Sequence, residues 1–135
     1  MRSMSLLILT AALGACSTTP QQMGRSAEAD AHLQKLIAGK VPGESRSCLP
    51  HYRANNMVVI DDNTVVFEDG RTVYRNDFQG TQCSRLGSGF YTLVTRTSGS
   101  GLCRGDIAQV VDMTSGMTVG SCVLGDFVPY TAPRG

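Results

Sequence analysis

The feature that most constrains this chain is a succession of short β-type runs broken at close intervals by turn residues. Residues 57–60 are an apolar run, Asp61-Asp62-Asn63 reads as a turn, and 64–68 is rich in β-branched residues. Asp69-Gly70 is a hairpin signal leading into residues 71–76. Residues 79–89 form a loop bearing glycine, serine and Cys83, and 90–97 is a further strand. After a flexible turn at 98–101, residues 106–112 form a strand that places Ile107 and Val111 on one face. Thr114-Ser115-Gly116 turns the chain into residues 117–124, and 126–130 add a short edge strand ended by Pro129. Six or seven strands at this spacing predict a mainly β fold, a small antiparallel barrel or sandwich. The chain has no Trp, so Phe67, Phe78, Phe90, Phe127 and the four Tyr are its large core candidates.

Ahead of the strands the sequence predicts one helix, over residues 26–39. Ser26 is placed to cap it, and Glu28 and Asp30 lie in its first turns, where the helix dipole favours anions. Ala29, Leu33, Leu36 and Ile37 form one apolar stripe, and Gly39 is a stop signal. About 12 residues of helix are marginal alone, so this stripe is expected to dock.

The first 15 residues read as a targeting segment. A basic start with Arg2 precedes an apolar run over residues 6–12, far short of the roughly 20 residues that span a bilayer. Leu13-Gly14-Ala15-Cys16 matches a bacterial lipobox, which makes Cys16 the expected lipidation site. Residues 16–25 then read as the lipidated cysteine and a polar tether, and 26–135 as a single disulfide-stabilised domain. Stable anchoring needs two or more acyl chains, which a lipobox cysteine receives. Ser17 stands where Asp would signal inner-membrane retention, so the expected address is the outer membrane, facing the periplasm.

With Cys16 assigned to lipid, Cys48, Cys83, Cys103 and Cys122 remain, an even number for an oxidising compartment. A Cys₄ zinc site is disfavoured because close Cys-x₂₋₄-Cys pairs are absent from the sequence. Two disulfides are expected, with three pairings open. Antiparallel pairing of 106–112 with 117–124 sets Ile107 roughly opposite Cys122 and favours Cys103–Cys122, with Cys48–Cys83 by exclusion. Slack around Cys48 and Cys83 also permits Cys48–Cys122 with Cys83–Cys103.

Several segments carry a family likeness. They are Cys48-Leu49-Pro50, Val59-Ile60-Asp61-Asp62 with Thr64 and Phe67, and Val73-Tyr74-Arg75-Asn76. Cys83 with Leu86, Leu102-Cys103-x-Gly105-Asp106 and Cys122-x-Leu124-Gly125-x-Phe127-x-Pro129 continue it. In this order they resemble a family of small proteobacterial lipoproteins with a domain of unknown function, over about Cys48 to Pro129. The resemblance implies a scaffold and an envelope address, and no catalytic residue.

Side chains that bear chemistry are sparse. His32 on the helix and His51 after Cys48 do not form a metal or triad pattern. Asp61, Asp62 and Asp106 are candidates for acid–base or cation work, but Asp at strand ends more often accepts turn hydrogen bonds. Arg104-Gly105-Asp106 reads as a tight turn, and the glycines form no phosphate loop. The arginines at 71, 75, 85, 96 and 104 have carboxylates at 61, 62, 68, 69 and 77 to neutralise them, which predicts a mixed surface. A formal net charge of +1 gives no footprint for nucleic acid. The sequence therefore predicts no catalytic site, metal or cofactor. It predicts a membrane attachment through lipid and an envelope-protein or cell-wall partner. The alternative is an inhibitor of a cell-wall hydrolase such as lysozyme. Ser98-Gly99-Ser100 is similar to a segment that small lysozyme-inhibiting lipoproteins present to the enzyme, without the Tyr and Thr-Lys-Gly expected nearby.

Overall fold

The computed structural model describes residues 25–80, 83–97 and 99–134. The lipobox and Cys16 lie outside them, as does Ser98. One helix and ten strands follow in order: α1 (Ala27–Ile37), β1 (Val41–Pro42), β2 (Cys48–Pro50), β3 (Met57–Val59), β4 (Thr64–Asp69) and β5 (Thr72–Asp77) come first. Then come β6 (Tyr91–Thr95), β7 (Gly101–Cys103), β8 (Ile107–Asp112), β9 (Thr118–Val123) and β10 (Phe127–Thr131). The fold is mainly β and sandwich-like, with three open antiparallel sheets rather than a closed barrel. The strands beyond the expected seven are β1, β2 and β7, two- and three-residue pieces too short to show a pattern.

The main sheet runs β1-β10-β5-β4-β3. Its centre is the β4–β5 hairpin at Asp69-Gly70, where Gly70 takes φ +58° and Asp69 pairs with Thr72. Alternate residues split between two faces. Val65, Phe67, Tyr74 and Phe127 join the larger buried cluster, with the Phe67 and Phe127 rings 5.8 Å apart. Val66 and Val73, with Ile60, join the other cluster, beneath Ala29 and Leu33 of α1. Leu36 and Ile37 complete the helix stripe there, as the sequence pattern requires. Burial on both sides explains why four successive residues, Thr64 to Phe67, are all buried.

α1 forms where its caps place it. Ser26 Oγ accepts the amide of Ala29 at 3.1 Å, and Gly39 at φ +69° follows the last turn. Arg25, just ahead of the cap, ties the helix start to the main sheet. Its Nε meets Asp61 Oδ2 at 2.7 Å and its guanidinium donates to the Thr64 hydroxyl. Thr64 in turn donates to Asp77 at 2.5 Å.

The strand expected to end at Pro129 is not an edge. β10 lies between β1 and β5 and continues to Thr131. Phe127 exchanges both backbone bonds with Arg46, and Pro129 accepts from the amide of Gly43 at 2.7 Å. Residues 127 and 129 therefore face the β1 side, so the missing N–H of Pro129 removes nothing from the β5 ladder.

The second sheet, β6-β8-β9, packs Leu93, Ala108, Val110 and Cys122 onto the main sheet. Ile107 pairs with Val123, and Ala108 with Cys122, with a register shift between Val110 and Val111. That register puts Ala108 and Val110 inside and leaves Ile107, on the expected Ile107–Val111 face, exposed. Thr114-Ser115-Gly116 turns the hairpin as expected. Asp112 Oδ1 accepts the amides of Ser115 at 3.0 Å and Thr114 at 2.7 Å, which hold its carboxyl below the usual range. This support for the turn is present above the ordinary aspartate range and is lost as pH falls through the depressed value.

β2 and β7 form a separate pair, in which Cys48 stands directly opposite Cys103. The disulfides are Cys48–Cys103 and Cys83–Cys122. Neither the favoured pairing nor its nested alternative forms. The reason is the turn at Arg104-Gly105: Gly105 takes φ +90° and Cys103 accepts from the amide of Asp106. The chain thereby leaves the β8–β9 hairpin, and Cys103 joins β2 instead. Cys122 points into the core, where Cys83 arrives on a loop whose amide is held by the Asp62 carbonyl at 2.7 Å.

Phe90 is likewise not a core residue. It is 70% exposed, whereas Phe67 is 1% exposed. Phe67→Ala should cost about 3–5 kcal/mol, while Phe90→Ala should stay within about 0.5 kcal/mol of the parent chain. Urea unfolding checks both values, and comparable losses at the two positions would contradict the packing described.

Candidate functional site

The nominated polar residues are dispersed and bound to backbone. His32 is exposed on α1. His51 is exposed in a short 3-10 turn, with Nε2 at 3.1 Å from the Gly99 carbonyl oxygen and 3.3 Å from Thr97 Oγ1. Asp61 accepts the amides of Asn63 and Thr64 through Oδ1 and meets Arg25 through Oδ2. Asp62 holds the Arg85–Gly87 segment, accepting from the Gly87 amide at 2.7 Å and the Arg85 amide at 3.2 Å. Asp106 caps its own turn by accepting the Cys103 amide at 2.7 Å. Asp61 and Asp106 thus serve local turns, the role the sequence favours for them, whereas Asp62 fastens its turn to the distant Arg85–Gly87 segment. Among the described residues, no three of His, Cys, Asp and Glu are grouped to hold a metal ion. Arg75 pairs with Asp77 at 2.9 Å and Arg104 with Asp126 at 3.5 Å, as a mixed surface requires.

Asn76 is a buried residue whose role has no sequence signal. Its side-chain amide donates to the Gly125 carbonyl at 2.8 Å, and its Oδ1 accepts the Gly125 amide at 3.0 Å. The two bonds copy a β ladder and fasten the segment before β10 to β5. Gly125 is required there, because a Cβ would overlap the Asp77 carbonyl.

Two concave regions flank the fold. One, of about 290 Å³, is lined by Ser26, Glu28, His32, Ile60 and Gly87, between the start of α1 and the 3-10 turn after Cys83. The other, of about 400 Å³, lies along the β2–β7 pair, with Arg46, Pro50, Ser100 and both cysteines of Cys48–Cys103 in its wall. Gly101 is needed in this wall, since a Cβ would overlap the Leu49 carbonyl. The two disulfides therefore differ in surroundings: Cys48 is exposed on this cleft, whereas Cys83 and Cys122 are buried in the core.

The broadest unusual surface is the outer face of β6-β8-β9. By register it carries Thr92 and Val94, Ile107, Gln109 and Val111, and Ser121 and Val123. None of these belongs to either buried cluster. No charged side chain stands on it. From Leu86 to Gly125 the only charged residues are Arg96, Arg104, Asp106 and Asp112. At one end of this sheet, Phe90, Met113 and Met117 are 70%, 59% and 67% exposed. Backbone bonds hold them together, from the Met113 amide to the Phe90 carbonyl and from the Asp112 amide to the Met117 carbonyl. Three exposed apolar side chains at the end of a sheet face that carries no charge have the composition on which contact surfaces draw, since interface cores are depleted of charge. Sequence patterning assigns Phe90 to the core because strand periodicity does not say which end of a run projects past its sheet.

Exposure predicts the order in which the disulfides open. A dithiol reductant under native conditions should break Cys48–Cys103 first and leave Cys83–Cys122 intact. Alkylation and peptide mapping would show it, and simultaneous opening would contradict it. Each bond closes a long loop, 55 and 39 residues, so losing either should cost about 4 kcal/mol in the chain-entropy model. No family model, curated protein or solved structure matches this chain, so its function is argued from its own residues.

Proposed function

We propose that this chain is a lipid-anchored module of the bacterial envelope, non-enzymatic, held at the outer membrane through Cys16 and facing the periplasm. Its work is to bind a protein or cell-wall partner through the outer face of β6-β8-β9. The single observation that carries the reading is that face: uncharged, with Val94 and Ile107 exposed and neither buried cluster reaching it. The lipobox residues Leu13 to Cys16 and two disulfides agree with an exported, anchored protein. The engagement of Asp61 and Asp106 by their own turns, and of Asp62 by the amides of Arg85 and Gly87, favours a scaffold role for them over acid–base work. The hydrolase-inhibitor reading has less support. Thr97 and Gly99 of its loop both lie against His51 Nε2, which pins the loop to the β2–β7 edge rather than projecting it.

Two measurements test the proposal. Cys16→Ser should abolish incorporation of labelled palmitate and leave an unlipidated precursor; continued labelling sinks the anchor. A photo-crosslinking residue at Val94 should trap a partner in intact envelopes, while one at Lys35 on the exposed side of α1 should not. Equal capture at both sites, or a catalytic activity lost on Asp62→Asn with the fold intact, overturns the binding-module reading.

A further inference from the structure

The tip formed by Phe90, Met113 and Met117 is remote in sequence from the start of α1, yet a short stretch of chain links it to the cleft beside that start. Gly87 shares a cleft with Ser26 and Glu28, and Phe90 follows Gly87 by three residues, at most about 11 Å of chain. The tip and the start of α1 therefore occupy the same end of the molecule. Cys16 precedes Arg25 by nine residues, which span at most about 32 Å when fully extended. Arg25 itself is fixed to Asp61 and Thr64, so that reach is measured from a rigid point.

The chemistry of the tip suits hydrocarbon. Residues 113–117 read Met-Thr-Ser-Gly-Met, and residues 86–95 also lack any charged side chain. Asp112, the charged residue next to Met113, is turned onto the amides of Thr114 and Ser115. Three exposed apolar side chains beside a turn, residues 113–117, that bears no charge have the composition of a shallow wedge.

We propose that Phe90, Met113 and Met117 insert into the lipid surface to which Cys16 is attached, giving the domain a second, non-covalent contact with its own membrane. This rests on the lipid-anchored reading above. The contact fixes the orientation of the domain: the tip enters the lipid while β8 rises from it. Ile107, five residues before Asp112 on β8, then stands about 17 Å from the tip, above the headgroups and open to a partner.

The absence of Trp from the chain makes the test direct. Phe90→Trp gives a sole tryptophan at the tip, and Ile107→Trp gives one at the far end of the same face. The intact lipidated chain is reconstituted into vesicles of phosphatidylethanolamine and phosphatidylglycerol, with or without brominated acyl chains. The tip tryptophan should shift to the blue and be quenched by bromine, and the Ile107→Trp emission should remain that of an exposed residue. Solvent-like, unquenched emission at Phe90→Trp overturns the proposal and leaves the tip to a protein partner. Equal quenching at both positions also overturns it, because the sheet would then lie flat. The same Phe90→Trp measurement on a Cys16→Ser chain separates the two readings. Quenching there supports the tip contact even if palmitate labelling shows no anchor. In that chain, Met113→Glu or Met117→Glu should weaken vesicle association by about tenfold each; an unchanged association overturns the wedge.

Discussion

Burial of the β4–β5 hairpin on both of its faces is the constraint from which the other elements take their places. A strand with Thr64, Val65, Val66 and Phe67 all buried cannot stand in a two-layer sandwich with one wet side. It demands a cover on each face. One is α1, which brings Ala29 and Leu33 onto Val66 and Val73. The other is the β6-β8-β9 sheet with the β2–β7 pair, which brings Leu93, Val110, Leu49 and Leu102 toward Phe67 and Tyr74. Once the hairpin is sandwiched in this way, the ends of the chain are committed too, since α1 belongs to the N-terminal part and β10 to the C-terminal part of the sequence.

Much of this was legible in the residues. The Asp69-Gly70 hairpin, the Thr114-Ser115-Gly116 turn, the capped helix and its docking stripe are all local signals, each satisfied within a few residues of where it is written. What was not legible depends on contacts between distant segments. The disulfide pairing turned on Gly105, whose positive φ sends Cys103 out of one sheet and into another. The one-residue difference in register between Ile107 and Ala108 decided which side of β8 was buried. Pro129 would break the pairing with β5 only if its nitrogen faced that strand, and here it faces the short β1 side, where its carbonyl accepts from Gly43. Asn76 gives no local signal at all, because its partner, Gly125, lies 49 residues away.

The distribution of charge divides the molecule into two unlike halves. Carboxylates and guanidinium groups concentrate on the main sheet and its turns, where Asp61, Asp62 and Asp77 bind amides, hydroxyls and arginines. Such groups are occupied in holding loops, so they are poorly suited to be rearranged by a ligand. The β6-β8-β9 sheet is nearly free of charge and has little hydration to lose when covered. The site was hard to read in sequence for the same reason. A face made of Val, Thr, Gln and Ser contains no motif, and becomes visible only when register assigns alternate residues to a side that neither buried cluster reaches.

Arg25 gives the fold a mechanical property. Tension applied through the preceding chain reaches the guanidinium first, and from there passes to Asp61, to Thr64 on β4 and, through the Thr64 hydroxyl, to Asp77 on β5. A pull is thus delivered to the closed, twice-covered hairpin at the centre of the molecule before it can peel α1 from the sheet. The helix thus shares the load with the doubly covered hairpin instead of carrying it alone.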